Sequence, residues 1–526
     1  GGSIYLTTGA LIGGGTLKAN GGNVVHSRSG AGGRVAVVLT NSTDFGLVSM
    51  QALGALSPAP GYAGYAGTAG TVYKEHTGHA KDAGILIVDY GSISVGDVVN
   101  NTVQNGMAAS SNAFSEIVLT NGAVYVVDTN DVLNITSTLL WGDPADRNDG
   151  IYVAGGTLTV PAVFAFSNCF VAIGATNSTY LPITSLTVGT NGTMKFDVPW
   201  TVNYPITLEA GGWLSHSANT TNEAFKLNLT INGNLNVQSG GQVNVDAMGY
   251  TLANGPGAGA CGSHGGEGSK YSDAQIIGPT YGSLTSPTNL GSGSTSQSGG
   301  GAVRLTVTGT TAVHGAISAA GGPPTDHYGA SGGSIFLTTG VLTGDGVISA
   351  HGGKVNNGVA ASGGGGRVAV VLTNSADFGA IVMLACAGSG GNKPAAAGTV
   401  YRRTSTQGAG QGTLVVDATN IVSASSDSKI PTTLIGSQVT DTVVGTVIIT
   451  NKARFKVNTN QSVTVNGSWL NWTNTSFIAS SNSTVIFAGT NTATITGTNT
   501  FYNLTAGAAG KTILFQSGKT NIVNGC

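Results

Sequence analysis

Arg34-Val-Ala-Val-Val-Leu-Thr-Asn-Ser-Thr-Asp-Phe-Gly46 and Arg367-Val-Ala-Val-Val-Leu-Thr-Asn-Ser-Ala-Asp-Phe-Gly379 are one sequence written twice. Working outward, Gly1-Gly-Ser-Ile-Tyr-Leu-Thr-Thr-Gly9 returns as Gly332-Gly-Ser-Ile-Phe-Leu-Thr-Thr-Gly340, and Ala69-Gly-Thr-Val-Tyr73 as Ala397-Gly-Thr-Val-Tyr401. The offsets are 331 (Gly1 to Gly332), 333 (Arg34 to Arg367) and 328 (Thr71 to Thr399), so a large unit recurs with small loop insertions. Val-Ala-Val-Val-Leu, bounded by glycines and a Thr-Asn-Ser turn, is a strand signature, and its duplication means that strands are being repeated.

Composition points the same way. Of 526 residues, 84 are Gly and only 8% are charged, whereas helix surfaces need Glu, Lys, Arg and Gln. Val, Ile and Thr suit a pleated surface instead. With 40% hydrophobic residues and a net charge of −2, a packed all-β solid is expected rather than disorder. The balance of 21 basic and 23 acidic residues provides no footprint for nucleic acid, and no apolar run is long enough for membrane insertion. Gly1 without an initiating Met reads as a mature or excised piece of a larger precursor.

A finer rhythm runs inside the large repeat. Ala302-Val-Arg-Leu-Thr-Val307, Ser334-Ile-Phe-Leu-Thr-Thr339 and Arg367-Val-Ala-Val-Val-Leu372 start 32 and 33 residues apart. Leu227 to Asp246 alternates apolar and polar residues with breaks at Asn-Gly and Gly-Gly. These features predict a right-handed parallel β-helix, a β-solenoid, with Gly-rich loop excursions and an internal tandem duplication. Coils of roughly 25 residues stacked about 4.8 Å apart would make a rod on the order of 100 Å long. The expected organisation is β-helix over 1–254 with the first copy of the large repeat, a Gly/Ser-rich segment over 255–301 that is either an excursion packed on the rod or a flexible loop, and β-helix over 302–526 with the second, partial copy.

The combination of Gly-Gly-Ser-Ile-(Tyr/Phe)-Leu-Thr-Thr-Gly, Ile348-Ser-Ala-His-Gly-Gly353, Gly363-Gly-Gly-Gly-Arg-Val-Ala-Val370 and Gly497-Thr-Asn-Thr-Phe-Tyr-Asn-Leu-Thr505 resembles the Gly-rich β-helix repeat regions of very large secreted or cell-surface bacterial proteins, similar to adhesins and autotransporter passengers. The resemblance implies an exported, extended, non-catalytic scaffold without cofactors, on or outside the cell.

Within the repeat, Arg34 and Arg367, Asp44 and Asp377, and Phe45 and Phe378 occupy equivalent positions; a coil-corner Arg and a turn-capping Asp are the simplest readings. Gly1, Gly2, Ser3, Ile4, Tyr5 and Leu6 lack the preceding coil that residues 301–330 provide to Gly332, so they form a candidate assembly edge. From this follows an expected head-to-tail self-association, or continuation within a longer chain, building a stalk or filament. The alternative is a secreted β-helix that binds or cleaves polysaccharide, for which Trp200, Trp213, Trp469 and Trp472 are the aromatics to test; a phage-type fibre, which requires trimerisation, is a third.

Candidate chemistry is thin. Lys74-Glu-His-Thr-Gly-His-Ala-Lys-Asp82 loses both histidines in its copy and reads as a solvated loop. Asp143, Asp146, Arg147 and Asp149 form a second polar group, while Cys261, His264 and Glu267 offer metal-binding atoms without a fourth ligand nearby. The four cysteines, Cys169, Cys261, Cys386 and Cys526, leave all three pairings open. Candidate glycosylation acceptors are Asn41, Asn134, Asn177, Asn228, Asn471 and Asn503.

Overall fold

The computed structural model describes residues 1–23, 29–55, 67–91, 102–103, 113–144, 147–181, 183–272, 274–324, 327–356, 360–419, 431–472 and 477–525. Among them the chain is all-β, with no helix, and most strand pairs are parallel. It forms two compact units, Gly1–Leu214 and Ser215–Cys526, so the 255–301 segment lies inside the second.

In the first unit Ser3–Thr8, Arg34–Leu39 and Thr71–Glu75 form a parallel ladder in which Ile4, Val35 and Val72 are consecutive partners. Val35, Val37 and Leu39 are buried, each contributing about 1.5–3 kcal/mol by leaving water. In the second unit Ala302–Val313, Ser334–Thr343, Arg367–Leu372 and Thr399–Arg403 repeat the arrangement, with Val303, Ile335, Val368 and Val400 in register.

Glycines at the start of these strands form a column of their own. A Cβ on Gly333 would lie 1.8 Å from the Gly301 oxygen, and one on Gly398 1.8 Å from the Gly366 oxygen. No side chain fits that approach, and the copy in the first unit repeats it: a Cβ on Gly33 would lie 1.8 Å from the Gly2 oxygen.

The ladder is not parallel throughout, as a simple β-helix requires. In each unit it contains an antiparallel hairpin, Thr71–Glu75 with Ile85–Asp89 and Thr399–Arg403 with Thr413–Asp417. Sequence periodicity does not reveal strand direction, so this feature was not anticipated. One tyrosine holds each reversal: the Tyr73 hydroxyl accepts the Gly84 N–H at 2.9 Å, and the Tyr401 hydroxyl accepts the Gly412 N–H at 3.1 Å.

The hairpin also changes which face is buried. In the second unit both faces are buried before it, Val368 and Val400 on one and Ala369 and Tyr401 on the other, whereas after it only the Tyr401 face stays buried, through Leu414 and Val416, Leu414 partnering Tyr401. Val447, Trp469 and Ile495 continue that column. After its hairpin the first unit does likewise, with Leu86 opposite Tyr73 and then Ile117.

Beyond the hairpin of the second unit each pass contributes a strand to three sheets. Thr446–Thr450, Phe455–Val457 and Ser462–Val465 are followed by their parallel partners Trp469–Asn471, Phe477–Ala479 and Thr484–Phe487. The interior is filled by Phe455, Trp469, Phe477 and Phe501, with the Trp469 and Phe477 rings edge-on at 4.8 Å.

The Gly-rich segment packs against the strands that follow it. Gly265 donates to the Gly365 carbonyl and Gly364 donates to the Gly262 carbonyl, both at 2.9 Å, while Tyr281–Ser283 pairs in parallel with Gln438–Thr440.

Candidate functional site

The duplicated residues are placed by the duplicated strands. Asp44 and Asp377 each follow a strand and cap a turn: Oδ1 accepts the N–H of Gly46 at 2.8 Å and of Gly379 at 2.9 Å, where the glycines have φ of 61° and 62°. Phe45 lies under the Lys74 ammonium at 5.5 Å and Phe378 under the Arg402 guanidinium at 5.8 Å, a cation–π contact kept although the cation changes.

Arg34 and Arg367 are not equivalent in their surroundings. Arg34 is exposed, whereas Arg367 is fully buried beneath the 255–301 segment. Its Nε donates to the Tyr281 carbonyl at 2.8 Å and Nη1 to Thr399 Oγ1 at 2.9 Å, while Nη2 finds no partner among the described residues. Burial lowers its pKa to about 9. Beside it, His264 stacks on Tyr281 with ring centroids 4.5 Å apart and makes a 2.9 Å contact from Nδ1 to the Gly332 carbonyl. Burial, and then the Arg367 charge, push its pKa down to about 3, so His264 is neutral at physiological pH. The neutral ring therefore donates from Nδ1.

The other clusters separate into structural contacts. Cys261 Sγ donates to the Ala361 carbonyl at 3.2 Å and Glu267 Oε2 accepts the Thr432 N–H at 2.8 Å, so with His264 on Gly332 the three point to different partners. Among the described residues no group of three His, Cys, Asp or Glu is placed to hold a metal ion. His76 and His79 stack with centroids 3.7 Å apart in the hairpin loop, and the two Nδ1 atoms accept the N–H groups of Gly78 and His76 respectively.

Asp149 is buried and accepts the N–H groups of Ala123 and Asp143 at 2.8 and 2.7 Å. Arg147 donates to the carbonyls of Gly192 and Gly211 and lies 3.8 Å over the Trp213 ring. These are clamps between neighbouring strands; Asp146 lies outside the described residues, as does Cys526. Cys169, Cys261 and Cys386 are buried thiols.

Asn41 and Asn177 are exposed, and Asn134, Asn228 and Asn503 are half-buried. Asn471 is buried, with Nδ2 donating to Asn499 Oδ1 and to the Thr498 carbonyl, both at 3.1 Å, so the folded chain offers no free amide there for a glycan. Of the tryptophans singled out, Trp469 is core, Trp213 carries Arg147, Trp200 is half-buried and Trp472 is 62% exposed. Sequence reasoning passed over Trp141, which is 44% exposed at the end of a strand. Nothing in its local sequence, Thr-Leu-Leu-Trp-Gly, distinguishes it from a core residue.

Ser3–Thr8 pairs with Arg34–Leu39 along one side, whereas its copy Ser334–Thr343 is paired along both, by Ala302–Val313 and Arg367–Leu372. Tyr5 is 75% exposed on Ser3–Thr8, and Ile4 and Leu6 only partly cover Val35 and Val37. Comparison with protein-family models, curated proteins and solved structures finds no match, so the functional reading rests on these residues.

Proposed function

We propose that the chain is part of an extracellular structural β-solenoid, a right-handed parallel β-helix serving as a stalk, fibre or adhesin segment, which lengthens by stacking further coils on its ends. The observation that carries this reading is the ladder of repeated parallel strands in both units, with Ile4, Val35 and Val72 in register in the first and Val303, Ile335, Val368 and Val400 in the second. Ser334–Thr343 has Ala302–Val313 as its neighbour, while the corresponding edge of Ser3–Thr8 meets no strand among the described residues.

Within each unit the hairpin is compatible with a single winding sense. Reversing strand direction would by itself reverse the hand of the coil, and exchanging the buried face reverses it again, so the two changes cancel. The shortage of charge suits a scaffold whose backbone bonds run between coils rather than to side chains.

Electron microscopy of the frozen, unstained protein, with light scattering over a concentration series, tests the proposal. Rods that lengthen with concentration, and that shorten when a peptide carrying the sequence of residues 301–330 is added, are the expected result. Single-chain particles that stay monodisperse at high concentration would refute end stacking. A second reading, a secreted polysaccharide-binding protein, is favoured by one feature, the groove beside Trp141.

A further inference from the structure

The first unit carries a groove of about 520 Å³, within the range of small-ligand sites, lined by Trp141, Ser167, Thr187, Gly189, Thr190 and Glu209 among others. Its construction follows from the ladder. Trp141 bridges Ser167 in parallel, Gly189 N–H donates to the Phe166 carbonyl, and Glu209 N–H donates to the Val188 carbonyl, each of the last two at 2.9 Å. Trp141, Ser167, Gly189 and Glu209 are therefore successive rungs of one outward row, spanning three inter-strand steps or about 14 Å.

The third rung has no side chain. A Cβ on Gly189 would sit 3.4 Å from Glu209 Oε2 and 3.5 Å from the Ser167 Cβ, so the missing methyl opens a trough between the carboxylate and the hydroxyl. Trp141, at the far end, keeps 44% of its surface in water, although the indole ring is the side chain with most to gain from burial. Thr187 and Thr190 add hydroxyls along the flank, and the Thr190 hydroxyl, which donates to the Ala210 carbonyl at 3.2 Å, retains its acceptor capacity.

The second stack provides an internal comparison. Trp141 partners Val118 in the ladder, and Leu470 partners Ile448 in the corresponding place. Leu470 is half-buried, so the exposed indole belongs to the first unit rather than to the repeat.

The geometry points to a binding subsite for a short neutral oligosaccharide, lying along the row with one pyranose ring on the Trp141 face and its hydroxyls on Ser167, Thr190 and Glu209. A pyranose has an apolar C–H face and an equatorial belt of hydroxyls, which is the complement of an indole beside hydroxyls and a carboxylate. Among the described residues that line the groove, Glu209 is the only charged one, and none is a cation. A uronic acid or sulfated sugar would meet like charge there, whereas a neutral sugar donates charge-assisted hydrogen bonds to the carboxylate. Glycoside hydrolysis by the usual route needs a pair of carboxylates across the bond, so a single Glu binds without cleaving. The subsite stands on the groove alone and does not depend on end stacking.

The test is calorimetric titration of the full chain with maltotriose, cellotriose and laminaritriose, and with trigalacturonate as the acidic comparison. At least one neutral trisaccharide binds, Trp141→Ala weakens it tenfold or more, Trp141→Phe retains part of it, and Glu209→Gln weakens it several-fold. Trp472→Ala, at an exposed indole that does not line the groove, leaves binding unchanged. Absence of binding by all three neutral sugars, preference for trigalacturonate, equal loss in Trp472→Ala, or new reducing ends that disappear in Glu209→Gln would each overturn the assignment. Circular dichroism of the Trp141 variants separates lost binding from lost fold.

Discussion

His264 makes the second unit acid-sensitive, by an amount that the structure sets. The ring is fully buried against Tyr281, with Nδ1 on the Gly332 carbonyl, Nε2 without a partner among the described residues, and the Arg367 cation nearby. Its pKa falls from 6.5 to about 3 on folding, so as pH drops the unfolded chain takes up a proton first. The stabilising contribution is whole above pH 6.5 and is lost progressively down to about pH 3, at about 1.4 kcal/mol per pH unit. Between pH 6.5 and pH 4 that is roughly 3 kcal/mol from one side chain. His264→Gln keeps an amide donor for Gly332 and does not titrate. Its fixed packing loss cancels when each protein is compared with itself at two pH values. Urea unfolding at pH 7 and pH 4, with hydrogen exchange of the amides at 257–272, is the assay. The wild type should lose about 3 kcal/mol more than the variant on acidification, and that extra loss should be concentrated in this segment. Parallel pH profiles, within about 1 kcal/mol, would refute the reasoning.

Four further outcomes follow from the packing. Arg367→Met removes a buried cation without a carboxylate partner and is expected to be neutral or stabilising by about 1–4 kcal/mol in thermal unfolding, whereas Arg34→Met, at the exposed copy, changes stability by less than about 0.5 kcal/mol. Tyr401→Phe strands the Gly412 N–H and costs about 1–3 kcal/mol, and Gly412→Ala costs more, because its Cβ would lie 2.5 Å from both the Arg402 oxygen and the Tyr401 ring; denaturant midpoints read both. Trp469→Ala, in the ring cluster, costs about 3–5 kcal/mol, while Trp472→Ala costs under about 0.5 kcal/mol. After expression through a glycosylating secretory route, peptide mass spectrometry of folded protein is expected to find sugar at Asn41 or Asn177 and none at Asn471.

Much of the strand layout was legible from local pattern. Val35-Ala-Val-Val-Leu39 and its copy announce a strand, and the Asp-Phe-Gly that follows announces a turn; the structure pairs Ile4 with Val35 and Ile335 with Val368. The hairpins were not legible, since Ile85–Asp89 and Thr413–Asp417 look like any other strand and antiparallel pairing leaves the period of two untouched. Trp141 was hidden for a related reason: Leu140 and Trp141 are adjacent, both apolar, and point to opposite faces.

The chain's composition by itself determined that the protein is all-β, because a sequence with so little charge and so much Val, Thr and Gly has no means of making a helix surface; the duplication determined that the strands come in repeats, because equal sequences make equal local structure. The tertiary structure alone decided what identical residues do. Arg34 and Arg367 share a sequence context, yet one meets water and the other lies under a Gly-rich segment whose backbone approaches closely where Gly262 and Gly265 meet Gly364 and Gly365. Ser3–Thr8 and Ser334–Thr343 have nearly the same residues, and among the described residues only the second has a strand on both sides. Local sequence sets which side chains alternate along a strand, whereas burial, charge cost and an open edge are properties of what lies alongside it, and that is supplied by chain distant in sequence.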